Sequence, residues 1–576
     1  MIPSFPDYTG PYQVGSIDIE VPVLELQAPS STPSETSDIH TVLVRVFYPA
    51  TPEPQDCKVR WLPSPQRQSV SAYARFIGLG SAVASVVSYL PRHTHYAKIP
   101  AYKNAPPFAS PAAANGRWPT AIFSHGLAGC RNSYSYIAGS LASHGVVVFC
   151  PEHRDGSAIL TMMRSPSTSH KSKRFSSWRN AAQMRPYLDI GHEVTAETFK
   201  ARHKQLKIRL WELGLVHSLI MAVDRGDKLT NLKTTARGLG QLAGIMDVHR
   251  PGKMIFMGHS FGAASMVQFT KSVYYADSAT LKGLASPLFT PRRDSDLCTQ
   301  VTHENVIILL DMWCMPLFDP STTLLLELPL PAYDNVPGAP GGRAVLAIES
   351  EQFVKWNEHF HATARVISKQ PGQRVVAREH LVNSATGDSL EPARFFWVRG
   401  SAHMNQSDFC VLFPWMTKKM FKAGHPEQVL RLNLRAQLQM LRDNSVIVAE
   451  TSVNDCVDDG GEGCGSEREN SQRSGNSPSL PPNFKPGHEN KRARLSHDKL
   501  IFESPDTIKA WARVDIFGMG AESPAFGWNI DATASSNVSA EETAAATTTA
   551  GLSNQRQPEP GIRENSQETL AQEIVV

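Results

Sequence analysis

Apolar residues run along this chain in short unbroken stretches separated by longer amphipathic ones. HTVLVRVF (40–47), PTAIFSH (119–125), GVVVFCP (145–151), KMIFMGH (253–259), NVIILLD (305–311), AVLAIES (344–350) and RFFWVRG (394–400) read as strands. Continuous runs of this length, rich in β-branched residues, suit central strands covered on both faces. Helical periodicity falls between several of them: over residues 204–226, from Ala263 to Ser272, and from Glu427 to Arg442, where Leu430, Leu434, Leu438 and Leu441 repeat at helical spacing. The alternation predicts an α/β architecture, a mostly parallel central sheet with helices on both faces. The polar excursions 156–200 and 371–391 sit where insertions over an active site usually lie.

One apolar stretch stands apart. Ser71 to Leu90 carries a single charge, Arg75, over a length near that of a membrane span. Strand-like segments on both sides of it (41–48 and 120–126) belong to one sheet if the fold is α/β, so the stretch is expected as a buried or interface-lying helix. The protein is therefore expected to be peripheral at a membrane rather than transmembrane.

Composition changes near residue 445. Residues 1–445 read as one catalytic domain and 446–576 as a tail, rich in Gly, Ser, Glu, Asn and Pro from Asp455 to Asn490 and in Ala, Ser, Thr, Glu and Gln from Ala532 to Gln572. Such segments bury too little apolar surface to order themselves. Between them, 499–528 regains aromatic and apolar residues and is expected to dock onto the main domain or bind a partner. The basic run Lys491-Arg492-Ala493-Arg494 reads as solvated tail charge.

A net charge of +3 on 576 residues, with no basic stripe interleaved with aromatics, argues against nucleic acid as a partner. The eight cysteines (57, 130, 150, 298, 314, 410, 456 and 464) have no pairing rhythm and no zinc-ligand spacing, so neither metal nor cofactor is expected. Met1 to Asp7 lacks the basic start and apolar run of a signal peptide, and Ile2 excludes myristoylation; the expected location is cytoplasmic.

Candidate chemistry centres on Gly258-His259-Ser260-Phe261-Gly262, between an apolar run and a helix-forming segment. That strand–turn–helix context is what a nucleophile elbow requires, although the five-residue motif alone is weak. Ser260 needs a base, because an unassisted hydroxyl is barely nucleophilic at neutral pH. Beyond Ser260, His403 is the histidine directly behind a strand. The acid stays open on pattern alone: Asp311 ends the first strand after the elbow, Glu349 and Glu351 end the next, and Asp319 is a further option. The oxyanion hole requires two backbone N–H groups. Phe261 supplies one, and Leu127, in the loop Ser124-His125-Gly126-Leu127-Ala128-Gly129, is expected to supply the other. His125 reads as a histidine hydrogen-bonded within that loop.

GPYQVG (10–15), the long run 122–158, MGHSFGAAS (257–265), LLDMWCMPL (309–317), AIESEQF (347–353) and RGSAHMNQSDF (399–409) together resemble the platelet-activating-factor acetylhydrolase family of α/β-hydrolase lipases. The resemblance implies a calcium-independent phospholipase A2-type serine hydrolase that removes short or oxidised sn-2 acyl groups from phospholipids at a membrane or micelle interface. It implies Ser260 as nucleophile, His403 as base, Asp311 as acid, and Leu127 and Phe261 as oxyanion donors. Segments 52–115 and 156–250 and the tail depart from the family pattern. Two other readings remain open from the residues: a carboxylesterase of small soluble esters, which uses the same triad, and an inert hydrolase-fold scaffold with its function in the tail.

Overall fold

A computed structural model of the chain describes residues 4–89, 92–109, 116–164, 182–233, 237–284, 286–456, 494–495 and 497–520. Its centre is an eleven-stranded sheet. In chain order the strands are β1 (Gln13–Pro22), β2 (Thr41–Ala50), β3 (Lys58–Arg60), β4 (Lys98–Lys103), β5 (Thr120–Ser124), β6 (Val147–Pro151), β7 (Met254–His259), β8 (Ile307–Leu310), β9 (Val345–Ser350), β10 (Arg394–Val398) and β11 (Trp511–Arg513). They lie in the order β11-β10-β9-β8-β7-β5-β6-β2-β1-β4-β3. The six strands from β6 to β10 in that order are mutually parallel, and β1–β2, β2–β6 and β10–β11 pair antiparallel. This is the α/β-hydrolase fold.

The helices pack on both faces because successive side chains of each strand point to opposite sides. Ile307 and Leu309 of β8 join one core while Ile308 and Leu310 join the other. The helix α4 (Ala196–Arg225) covers the first face, together with α5 (Phe261–Tyr274). The second face is covered by α3 (Ser135–Ser143) and α7 (Pro426–Asp443), the latter through the leucine stripe Leu430, Leu434, Leu438 and Leu441. Thr195 caps α4 by accepting from Thr198 N–H, and Gly226, at φ 77°, ends it.

Several elements differ from the sequence reading. β1 was not anticipated, because its IDIEVP portion mixes acids into an apolar run; Glu20 and Asp18 are instead paired with arginines. Within the polar excursion 156–200, Leu160–Arg164 and Ala182–Pro186 form an antiparallel hairpin, and α4 begins at Ala196 rather than near 204. The stretch 71–90 is not one helix. α1 (Gln66–Phe76) and α2 (Ser81–Val87) are separated at Gly78, whose φ of 89° breaks the helical path. Among the described residues no helix is long and apolar enough to cross a membrane.

Beyond residue 445, Trp511–Arg513 joins the sheet as β11, Trp511 stacks on Phe396 at 5.0 Å, and buried Asp498 pairs with buried Arg435 at 2.6 Å. Of the tail segments expected to lack order, Asp455 and Cys456 instead end a short 3-10 turn and are buried, while 457–490 and 532–572 lie outside the described residues, as do 521–528 of the anticipated docking segment.

Candidate active site

The order of the sheet reverses between β5 and β7, and at such a switch point the carboxyl ends of neighbouring strands open a crevice. β5 runs into the loop 125–129 there, and β7 runs into Ser260. Ser260 sits at φ 54°, ψ −123°, a conformation that costs on the order of 1–3 kcal/mol and is held by its surroundings. Its N–H donates to Leu310 O at 2.9 Å and its carbonyl accepts from Trp313 N at 3.2 Å, tying the turn to β8. The flanking glycines are sterically required: a Cβ on Gly262 would lie 2.0 Å from Ser124 O, and one on Gly258 2.5 Å from Gly262 C. Ser260 Oγ is buried without a hydrogen-bond partner among the described residues.

Asp311 follows β8 at φ 39°, and its Oδ2 lies 3.2 Å from His403 Nδ1; its Oδ1 accepts from Ser350 N. With Nδ1 committed to the carboxylate, His403 keeps Nε2 for the cavity that Ser260 also lines. The His403 ring is stacked on Phe353 (centroids 4.3 Å, planes 6° apart) and lies 4.3 Å from the ring of His259. His403 N donates to Gln352 Oε1 at 2.9 Å. Of the other candidate acids, Glu351 and Asp319 are engaged elsewhere. Glu351 pairs with Lys355 and accepts from Gly400 N, and Asp319 accepts from Ser321 N and meets His203. Glu349 is buried, and burial pushes its carboxyl well above the usual range.

In the loop after β5, Gly126 N donates to Tyr134 Oη, Ala128 N to Ser157 O and Gly129 N to Gly126 O. Leu127 lines the cavity, and among the described residues no acceptor is seen for its N–H. Phe261 opens α5, where the first N–H groups have no partner within the helix. His125 is locked into the loop, its Nδ1 against Gly126 O at 2.8 Å and its Nε2 accepting from His153 N at 3.1 Å; burial lowers its pKa to about 4.

Behind the loop lies a buried polar network that the sequence reading missed. Arg209 of α4 donates to His125 O at 2.9 Å, pairs with Asp155 at 2.8 Å, and places its guanidinium 4.4 Å from the Phe261 ring centre. His153 bridges Ser124 Oγ (2.8 Å) to Glu212 (2.9 Å). Burial pushes Glu212 up to about 8. The available signal was two charged residues, Arg209 and Glu212, inside an otherwise apolar helical stretch, since charges on a buried face need partners.

The cavity in front of Ser260 has a volume of about 270 Å³ and apolar walls, including Trp61, Tyr73, Phe76, Leu127, Phe409 and Phe413. A larger cleft of about 790 Å³, lined by Arg394, Asp443, Lys499 and Arg513, lies beside β10 and β11 and includes none of the residues around Ser260. The helices beside the smaller cavity carry exposed apolar side chains: Val83 (53 % exposed) and Val86 (61 %) on α2, which follows the lining residue Leu79, and Trp415 (75 %) on α6 (Pro414–Phe421), next to the lining residue Met416. His259, Asp311 and His403 bring donor atoms within 4.8 Å of one another, the one such metal-capable group among the described residues. Two imidazoles and a carboxylate do not suit calcium, which takes six to eight oxygen ligands.

A family model described as "Platelet-activating factor acetylhydrolase, isoform II" matches residues 3–331, more than half of the chain. The matched region contains Leu127, Ser260, Phe261 and Asp311, and His403 lies beyond it. A "Putative phospholipase A2" of Schizosaccharomyces pombe is 28% identical over 455 residues, covering 77% of this chain and 92% of that protein. The "Platelet-activating factor acetylhydrolase" of Cavia porcellus is 28% identical over 46% of this chain and 52% of its own length. That of Bos taurus is 34% identical over 26% of this chain and 32% of its own length. Among solved structures, a ferulic acid esterase from Streptomyces cinnamoneus aligns with TM-score 0.41 and 14% identity over 78% of this chain and 94% of that one.

Proposed function

This chain belongs to the family of platelet-activating factor acetylhydrolase, isoform II, and on that footing we propose that it is a calcium-independent phospholipase A2-type serine hydrolase acting on short or oxidised sn-2 acyl groups. At the coarser level it is a carboxylic ester hydrolase of the lipid esterase and phospholipase kind. The observation that carries the serine-hydrolase reading is the Asp311–His403 contact of 3.2 Å beside an elbow serine, at the floor of an apolar cavity, and the family match supports the lipid substrate.

In this mechanism Ser260 Oγ attacks the ester carbonyl carbon while His403 Nε2 takes its proton. Ser260 Oγ, unbonded among the described residues, forms its hydrogen bond to His403 in the substrate complex, where catalytic hydrogen bonds often tighten. Asp311 holds the imidazole with its proton on Nδ1 and stabilises the imidazolium that forms. The N–H groups of Leu127 and Phe261 bind the oxyanion of the tetrahedral intermediate. Collapse breaks the ester bond, His403 returns the proton to the departing lysophospholipid oxygen, and an acyl-Ser260 remains. Water, deprotonated by His403, attacks that acyl carbon and restores Ser260 with release of the fatty acid.

Delivery of the lipid is assigned to the rim. Val83, Val86, Tyr89 and Trp415 are exposed, and Lys418 and Lys419 follow Trp415 on α6, with the Lys419 ammonium 5.4 Å from the indole centre. Aromatic, aliphatic and cationic side chains in that combination suit the headgroup region of a bilayer. The seven described cysteines are all free thiols, which supports the cytoplasmic reading.

The test is a hydrolysis profile across phosphatidylcholines of increasing sn-2 chain length, with EDTA present and absent. The expected result is fastest release of acetyl and short or oxidised chains, unaffected by the chelator. Turnover of small soluble esters with none of any phospholipid would replace this reading with a general carboxylesterase, and loss of activity in EDTA restored by calcium would remove the calcium independence.

A further inference from the structure

We propose that Tyr134 is a positioning residue that joins the oxyanion loop to the catalytic base, acting through His259. The inference rests on the serine-hydrolase reading above and concerns how its parts are kept in register.

Tyr134 stands just before α3, its ring packed against Phe123 (5.0 Å) and His259 (5.3 Å). Its hydroxyl has two partners. Gly126 N–H donates to it at 3.1 Å, so its own proton is directed at the second, His259 Nδ1, at 2.8 Å. A ring nitrogen that accepts is unprotonated, which leaves the proton of neutral His259 on Nε2. Burial keeps the ring neutral, holding its pKa well below the usual histidine range. His259 in turn lies with its ring 4.3 Å from that of His403, at 31°. A continuous line of contacts therefore runs from Gly126 N–H through Tyr134 and His259 to the imidazole that serves Ser260.

Gly126 shows how little slack this line has. A Cβ there would come within 2.9 Å of Ser260 Cβ and 3.2 Å of both Tyr134 Oη and His259 Nδ1. Nucleophile, bridge and loop thus meet at one glycine, and the next N–H along the chain is that of Leu127. A displacement of Gly126 moves that donor relative to Ser260, and misplacement of an oxyanion donor is felt in the transition state rather than in substrate binding.

Tyr134→Phe keeps the ring and removes the hydroxyl. The expected result is a fall in kcat of about tenfold to a hundredfold with KM within about twofold. Affinity for a trifluoromethyl ketone, which forms a tetrahedral adduct on Ser260, should fall in step with kcat/KM. Unaltered kcat, or loss of kcat with no loss of ketone affinity, overturns the proposal. Should Tyr134→Phe fail to fold, His259→Asn, which retains an acceptor for the tyrosine proton, is compared with His259→Leu, which does not. The asparagine variant should keep the larger kcat, and equal values overturn the bridge. Ser260→Ala, assayed alongside, separates the two levels of inference. If it stays active, the serine-hydrolase reading and the bridge fall together; if it is inactive while Tyr134→Phe is fully active, the bridge alone falls.

Discussion

The rear wall and the outer rim of the cavity invert ordinary surface chemistry in opposite directions. At the rear, Arg209, His125, His153, Glu212, Tyr134 and His259 are polar yet buried, and each has a partner within the wall. At the rim, Val83, Val86, Tyr89 and Trp415 are large and apolar yet exposed. Buried polar groups are tolerated only when bonded, and once bonded they fix geometry. Exposed apolar groups are tolerated in small patches and mark where another apolar surface arrives. On the proposed function, chemistry and lipid capture are built from separate parts, and their failures should separate too.

The largest separation should come from the reacting groups. Ser260→Ala, His403→Ala and Asp311→Asn are each expected to lower kcat by about 10⁴-fold or more on soluble ester and vesicle alike, since they act as a unit. Glu351→Gln should stay near the parent rate. An active Asp311→Asn beside an inactive Glu351→Gln would transfer the acid role.

A smaller effect, confined to the interior, is acid lability. Burial lowers the pKa of His125 and His192 to about 4 and of His217 and His359 to about 3, and holds His153 and His259 well below the usual range. Below a pH of about 6.5 the unfolded chain takes up protons that the folded chain refuses. The stability these groups confer is complete above that value and drains away as pH falls toward the folded pKa values. Each contributes about 1.4 kcal/mol per pH unit in that window. Glu212 and Glu349, whose carboxyls burial raises, hold protons in the fold and offset part of this loss, so thermal unfolding followed from neutral pH to roughly pH 5 should show a net fall in melting temperature. A melting temperature that rises over that range would mean that these histidines are not neutral in the fold.

The smallest expected effect belongs to the rim. Val83→Ser, Val86→Ser and Trp415→Ala together should weaken binding to phosphatidylcholine vesicles by about tenfold or more. Soluble-ester kcat and the melting temperature should hold, because exposed substitutions usually shift stability by about 0.5 kcal/mol or less. A drop in melting temperature with unaltered vesicle affinity would assign these helices to packing instead.

What could be read from the chain alone divides along the same line between local and distant. The parallel strands were legible because NVIILLD and AVLAIES announce themselves without reference to neighbours, and Ser260 because strand, turn and helix are consecutive. The proposed acid was not legible from pattern, since NVIILLD ends in Asp311 and AVLAIES carries Glu349 one residue before its end. Only the packing of β8 beside β9, and of β9 beside β10, places Asp311 against an imidazole 92 residues away. The break at Gly78 was written in the sequence but outweighed by the apolar run around it. The bonds from Tyr134 to His259 and from Arg209 to His125 join residues 125 and 84 positions apart, a separation no local pattern records.

β11 has a practical side. It occupies the outer edge of β10, where Ala510 O accepts from Arg399 N and Trp511 covers Phe396. A strand edge stripped of its neighbour is a template for self-association. Shortening the gene at the end of the catalytic region, the obvious step for anyone wishing to crystallise it without its tail, would bare that template and the aromatic surface beneath it. The trimmed protein should leave solution as aggregate, and one that ends after residue 520 should not.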